Sequence, residues 1–128
     1  MAENTIETFR CILTMFHPDD RTHAVRLNTD IDVRRFLGGP VPTQVAERRF
    51  EKWLTGKGAI RRWAVRRKVD NSFVGMVSLT PHHDPKDTEV SYLLLPERWG
   101  NGYGKEAVKA AVVYAFSTLR LPRIVAET

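Results

Sequence analysis

The stretch Arg98-Trp99-Gly100-Asn101-Gly102-Tyr103-Gly104-Lys105 lies between an apolar run, Val90-Ser91-Tyr92-Leu93-Leu94-Leu95, and an amphipathic segment from Glu106 to Leu119. A strand, a glycine turn and a helix N-terminus in that order build an anion site. Glycines let a backbone approach a phosphate and adopt positive φ. The free N–H groups and the positive dipole end of the helix then hold the charge. The helix is written in the residues: Ala107, Ala111 and Ala115 form one stripe, and Val108, Val112, Phe116 and Leu119 form the adjacent one. That is a period near 3.6, and Leu121-Pro122 ends it. Lys105 falls in the first turn, where a cation opposes the dipole. A bound polyanion relieves that opposition, and Arg98 across the glycines adds a second cation.

The spacing discriminates between phosphate ligands. A P-loop needs G-x-x-x-x-G-K-[ST]. Trp99 stands where its first glycine belongs and Glu106 where its hydroxyl belongs, so that loop is excluded. Gly102, Gly104 and Ala107 fit the relaxed dinucleotide fingerprint G-x-G-x-x-A, and Glu127 ends the next apolar strand about 20 residues on. Two features oppose that reading. Pro96-Glu97-Arg98-Trp99-Gly100-Asn101 separates the strand from the first fingerprint glycine, and the unit comes late in the chain rather than opening it.

The segment from Glu89 to Ala107 resembles the acetyl-CoA signature of the GNAT superfamily of N-acetyltransferases. Within it, Leu95-Pro96-Glu97, Trp99-Gly100 and Gly102-Tyr103 are similar to the Rim branch, which includes N-terminal acetyltransferases of ribosomal proteins. Thr8-Phe9-Arg10-Cys11-Ile12-Leu13 resembles that branch's opening strand. Pro18-Asp19-Asp20, Phe36-Leu37-Gly38-Gly39, Phe73-Val74-Gly75-Met76-Val77, Ala115-Phe116 and Arg123 to Thr128 follow in the expected order. The resemblance covers nearly the whole chain, residues 1–128, as one domain. It departs at Trp99, where the superfamily usually has Gln or Arg.

Composition agrees with a single globular domain. The chain has 128 residues, 42% of them hydrophobic and 27% charged, enough for one core. No apolar run reaches the length of a membrane span, and Met1-Ala2-Glu3-Asn4-Thr5 lacks a signal peptide's basic and apolar regions. A cytoplasmic location is the expectation. The lone Cys11 excludes an internal disulfide; alternating with Phe9, Leu13 and Met15, it reads as a buried structural thiol. The formal charge is +5, which steers anions toward the surface. Arginines come in pairs: Arg34-Arg35, Arg48-Arg49, Arg61-Arg62 and Arg66-Arg67. Most read as a solvated basic face. The aromatics sit at core-type positions, and no nucleic-acid-binding signature is present.

Periodicity orders the elements. Thr5 to Phe16 reads as a strand, and a helix starts at His17-Pro18-Asp19-Asp20 and runs to about Asn28. Asp32 to Leu37 is a helical turn, Gly38 to Pro42 a loop, and Thr43 the N-cap of a helix to about Leu54 with Ala46, Phe50, Trp53 and Leu54 inside. Arg61 to Val69 is a strand with Trp63, Val65 and Val69 on one side; it turns at Asp70-Asn71-Ser72 into Phe73 to Thr80. Pro81 to Asp87 is a polar loop, Thr88 to Leu95 a strand, and Ile124 to Glu127 the start of another. The fold class is α/β (α+β): a mixed, mostly antiparallel central sheet with helices on both faces, as in GNAT domains.

What the resemblance implies about function is specific. The chain transfers an acetyl group from acetyl-CoA to a primary amine, on a protein N-terminus or a small molecule. The backbone of Leu93, Leu94 and Leu95 pairs with the pantetheine arm like an added strand. Arg98, Trp99, Gly100, Asn101, Gly102, Tyr103, Gly104 and Lys105 hold the pyrophosphate, largely through backbone N–H groups. Glu89 is the candidate base that takes the amine proton; the alternative is an exposed strand-end glutamate. Tyr92 reads as a wall of the site or a core residue. His82-His83-Asp84 lacks a distant ligating partner and reads as a loop beside the acceptor, with no metal. The family domain continues with another helix and two strands beyond Thr128, so the expectation is a truncated domain with a sticky edge at Ile124 to Glu127 and a homodimer formed through it. The alternative function is a catalytically degenerate CoA-binding module.

Overall fold

The computed structural model describes residues 5–55, 60–81 and 87–126. The chain runs β1 (Ile6–Glu7), β2 (Cys11–Thr14), a 3-10 turn (Pro18–Asp20), α1 (Arg21–Thr29), α2 (Ile31–Arg34) and α3 (Thr43–Thr55). Then follow β3 (Arg61–Arg67), β4 (Phe73–Pro81), β5 (Thr88–Leu94), a 3-10 turn (Pro96–Arg98), α4 (Tyr103–Ser117) and β6 (Ile124–Val125). Among the described residues these make one six-stranded sheet in sequential order. Every pairing is antiparallel except β5 with β6, which is parallel. The expected mixed, mostly antiparallel sheet is therefore present.

Strand alternation splits the core between the two faces. Cys11, Leu13, Trp63, Val65, Val77, Leu79, Val90 and Leu94 pack with the alanine stripe of α4. Ala107, Ala111 and Ala115 are fully buried, which brings that helix close to the strands. On the opposite face Phe16, Ala64, Phe73 and Met76 pack against Leu27 of α1 and Phe50 and Trp53 of α3. Cys11 belongs to the first cluster, and burial, with the Glu106 carboxylate beside it, pushes its thiol upward. A structural role for Cys11 fits both facts.

Several boundaries differ from the sequence expectation. The first strand, Thr5 to Phe16, is instead a hairpin: Ile6 pairs with Leu13 and Glu7 with Ile12. Phe9 sits in its turn and Met15 beyond its end, and both are exposed. The polar neighbours of Phe9, Thr8 and Arg10, favour a turn over a continuous strand. Val69 likewise lies in the β3–β4 turn and is exposed, not on the strand face. Thr43 is the first helical residue of α3, not its cap; the Pro42 carbonyl accepts from the N–H groups of Val45 and Ala46. α4 begins at Tyr103 rather than Glu106 and ends at Ser117 rather than Leu119. His82, His83 and Asp84 and residue Glu127 lie outside the described residues.

β4 carries a bulge opposite the Val65/Arg66 step: Val65 faces Gly75 while Arg66 faces Phe73. Val74 is the extra residue, and its carbonyl accepts from the Leu95 N–H at 3.1 Å. A bulge bends its strand and sharpens its twist. This one lies beside the C-terminal end of β5, where the site begins.

Candidate active site

The end of β5 is open. Its pairing with β6 involves Thr88 with Ile124 and Glu89 with Val125. Among the described residues no strand lies beside Val90 to Leu94 on that side. Antiparallel pairing uses alternate residues' backbone groups. The Leu95 N–H is bonded to Val74, so Leu93, two residues before it, also directs its backbone at β4. Tyr92 and Leu94 present theirs to the open edge. The sequence expectation placed all three leucines on that edge; register assigns it to Tyr92 and Leu94. The Leu94 carbonyl there already accepts from the Trp99 indole N–H at 3.1 Å.

A cavity of about 460 Å³ runs along this edge, lined among others by Phe36, Tyr92, Leu94, Arg98, Trp99 and Gly104. Tyr92 is half exposed and is a wall of this cavity, not a core residue. The cavity ends at the glycine turn. Gly100 and Gly102 have φ of +79° and +81°, the left-handed region that a side chain disfavours. Gly102 is the N-cap of α4, and among the described residues no side chain caps that end. The first helical bond runs from the Glu106 N–H to the Gly102 carbonyl at 3.1 Å. The N–H groups of Tyr103, Gly104 and Lys105 precede it and have no acceptor within the helix.

Two predicted contributors are engaged otherwise. The Trp99 N–H donates to the Pro96 carbonyl at 3.1 Å and the Arg98 N–H to the Leu95 carbonyl at 2.9 Å. Neither is free for a phosphate, because the 3-10 turn closes on them. Arg98 instead reaches the cavity with its side chain: one guanidinium nitrogen donates to the Ser72 hydroxyl at 2.7 Å, and its buried Nε has no partner among the described residues. Asn101 buttresses the turn through the carbonyls of Arg98 and Trp99. The exposed Lys105 stands in the first turn of α4.

Two polar staples that sequence did not announce fix this turn. Glu106 accepts from the Thr8 hydroxyl, from the Arg10 N–H at 2.7 Å and from the Arg10 guanidinium at 2.8 Å. Burial alone would raise its carboxyl; the hydrogen bonds from Thr8 and Arg10 override that and hold it below the usual carboxylate range. The hairpin turn is thereby tied to the first turn of α4. Glu97 takes a fork of two bonds from Arg26 of α1, at 2.6 and 2.7 Å. Those bonds pull its carboxyl below the ordinary value.

Glu89 is partly buried and pairs with Thr80 on β4. By alternation it shares the face of Ser91 and Leu93, away from α4. On that face lies a second cavity, about 630 Å³, between α3 and the strands. Leu93 lines both cavities, so they meet there. Glu89 stands next to the second cavity without lining it.

The chain matches the acetyltransferase (GNAT) domain family over residues 10–128. It is similar to an uncharacterized N-acetyltransferase, YoaA, of Bacillus subtilis: 34% identical over 127 residues, spanning 93% of this chain and 70% of that protein. It is 28% identical over 140 residues to the FsC-acetyl coenzyme A-N(2)-transacetylase of Aspergillus fumigatus, spanning 99% of this chain and 59% of the relative. The fold superposes on the crystal structure of a spermidine N-acetyltransferase from Vibrio cholerae in complex with CoA and spermine. There the TM-score is 0.75 at 20% identity, over 91% of this chain and 70% of that one.

Proposed function

We propose, from the premise that this chain belongs to the acetyltransferase (GNAT) family, that it transfers an acetyl group from acetyl-CoA to a primary amine. The observation that carries this reading is the continuity of an open β5 edge with an uncapped helix N-terminus along one cavity. The residues present fit the group. An extended arm finds the Tyr92 and Leu94 backbone, and a pyrophosphate finds the N–H groups of Tyr103, Gly104 and Lys105 with the Arg98 and Lys105 side chains beside them. The helix dipole favours the same charge.

Bound there, acetyl-CoA supplies an activated thioester carbonyl. The amine nitrogen forms the new bond to the acetyl carbon as the carbon–sulfur bond breaks. One proton leaves the nitrogen and one is taken up by the departing sulfur. Glu89 is our candidate for receiving the first of these, through water in the second cavity. The Rim-type wording of the Leu95 to Tyr103 segment supports that branch, and with it protein N-termini as acceptors alongside small amines. A CoA-binding module without turnover is the alternative.

Thermal unfolding tests the cofactor. Acetyl-CoA or CoA at about 100 times its Kd is expected to add roughly 2.7 kcal/mol of stability, with no effect from NAD or NADP. Gly102→Ala forces a side chain into the left-handed region at the pyrophosphate and is expected to shrink that shift. A shift with the dinucleotides alone sinks the reading. For the base, Glu89→Gln is expected to slow turnover about 10²-fold with the CoA-induced shift intact. Unchanged turnover removes Glu89 from the mechanism and leaves the proton to solvent.

A further inference from the structure

The second cavity has a chemistry of its own. Its lining includes Arg34, Arg49, Lys52 and Arg62, and among the described residues it contains no Asp or Glu. Several other arginines are neutralised: Arg35 pairs with Asp32 and Arg66 with Asp20. Among the described residues these four cations have no carboxylate partner. The three arginines are held by neutral groups instead. Arg34 donates to the carbonyls of Gly39 and Leu37 at 3.1 and 2.8 Å. Arg49 donates to the Asn28 side-chain oxygen at 3.0 Å, and buried Asn28 is fixed in turn by the Ala24 carbonyl at 2.9 Å. Arg62 lies over the Trp53 ring, 5.9 Å from its centroid. Such partners orient a guanidinium and leave its charge uncompensated.

The cluster works against itself without a ligand. Burial, and after it the neighbouring Arg49 charge, lowers the Arg34 pKa; burial lowers that of Arg62. An anion between them relieves both effects. Guanidinium forks suit a planar carboxylate. At the strand side of the cavity the hydroxyls of Ser78 and Ser91 sit 2.9 Å apart and add a neutral donor.

We propose that this cavity binds the acceptor, and that the acceptor is a small amine bearing a carboxylate. The inference rests on the acetyl-transfer reading above. Its geometry follows from Leu93: the amine lies at the end of the cavity that meets the thioester groove, and the carboxylate lies toward Arg49 and Arg62. The size suits a small molecule, within the roughly 300–1,000 Å³ of ligand pockets. The cations do not belong to the CoA phosphates, whose turn is at Gly102 to Lys105 in the other cavity. A polyamine would bring positive charge into the cluster and is disfavoured.

The test offers acetyl-CoA with three sets of amines: amino acids and dipeptides with free carboxylates, the same compounds amidated, and spermidine with spermine. Turnover is expected in the first set only. Arg62→Gln and the exposed Lys52→Gln are expected to raise the KM for the acid-bearing amine, at least tenfold for Arg62→Gln, with the KM for acetyl-CoA unchanged. Calorimetric titration of that amine into CoA-loaded protein is expected to weaken in parallel, and Lys52→Gln guards against a fold defect at Arg62. Turnover of amides or polyamines equal to that of acids overturns the proposal. So does a KM change that falls on acetyl-CoA, or the absence of any acid-bearing substrate in a protein that binds CoA. A protein that fails to bind CoA at all fails the underlying reading instead.

Discussion

Asp20→Ala is expected to lower the unfolding midpoint by roughly 10 °C, from a loss of about 3 kcal/mol. Asp20 is buried at the end of the first 3-10 turn. One of its oxygens accepts from Arg66 on β3 at 2.6 Å and from the His17 N–H at 2.9 Å. Removing the carboxylate leaves a mostly covered guanidinium without its partner and uncaps the turn that starts α1. The loss of an existing partner, not the net worth of the pair, sets the size. Asp20→Asn keeps an acceptor without the charge and is expected to fall between. The check is denaturant and thermal unfolding of the three proteins. A loss below about 1 kcal/mol for Asp20→Ala would show that Arg66 relaxes into solvent, and that the pair does not anchor α1 to the sheet.

Gly75→Ala is expected to cost about 2–3 kcal/mol and to abolish most of the CoA-induced stabilisation. A Cβ on Gly75 would stand 2.2 Å from the Leu93 carbonyl oxygen and 2.9 Å from the Leu94 Cα. The Leu94 side chain stands at 2.7 Å, and the contacts with the β5 backbone cannot be relieved by a rotamer change. Relief therefore requires β5 to move away from the β4 bulge. That displaces Leu93 and Leu94, where the two cavities meet. Stability and CoA binding are measured on the same sample. Loss of stability with a normal CoA shift would place the strain away from the groove. Normal values for both would contradict the close approach itself.

The two variants separate legible from illegible features. The stripe Ala107, Ala111 and Ala115 announces α4, and its burial follows from period alone. The glycine turn announces the start of a helix, and the N-terminus of α4 is found there at Gly102. The alternation of Trp63 and Val65 announces a half-buried strand, with Val69 misassigned because the turn at Asp70 begins earlier than periodicity shows. In the hairpin the apolar alternation of Phe9, Cys11, Leu13 and Met15 misleads, since Phe9 belongs to a turn tied down by Glu106.

The arginine pairs show where reading by composition fails. Arg34-Arg35, Arg48-Arg49 and Arg61-Arg62 look alike in sequence, a solvated basic face. In the fold one member of each, Arg34, Arg49 and Arg62, lines the cavity beside β5. A local signal existed: Arg49 and Lys52 share a helical face at i, i+3, and Arg62 alternates with the core residue Trp63. What no local signal contains is that α2, α3 and β3 converge.

Sequence by itself determined the element types, the mixed sheet and the glycine turn that opens α4, because those depend on periodicity and on glycine, which act within a few residues. The tertiary structure decided which backbone groups face the open edge of β5, since register across the β4 bulge sets that. It also decided which cations are unneutralised, because pairing depends on carboxylates brought from distant elements. Arg66 finds Asp20 across the core, while Arg62, on the same strand and face, finds none among the described residues.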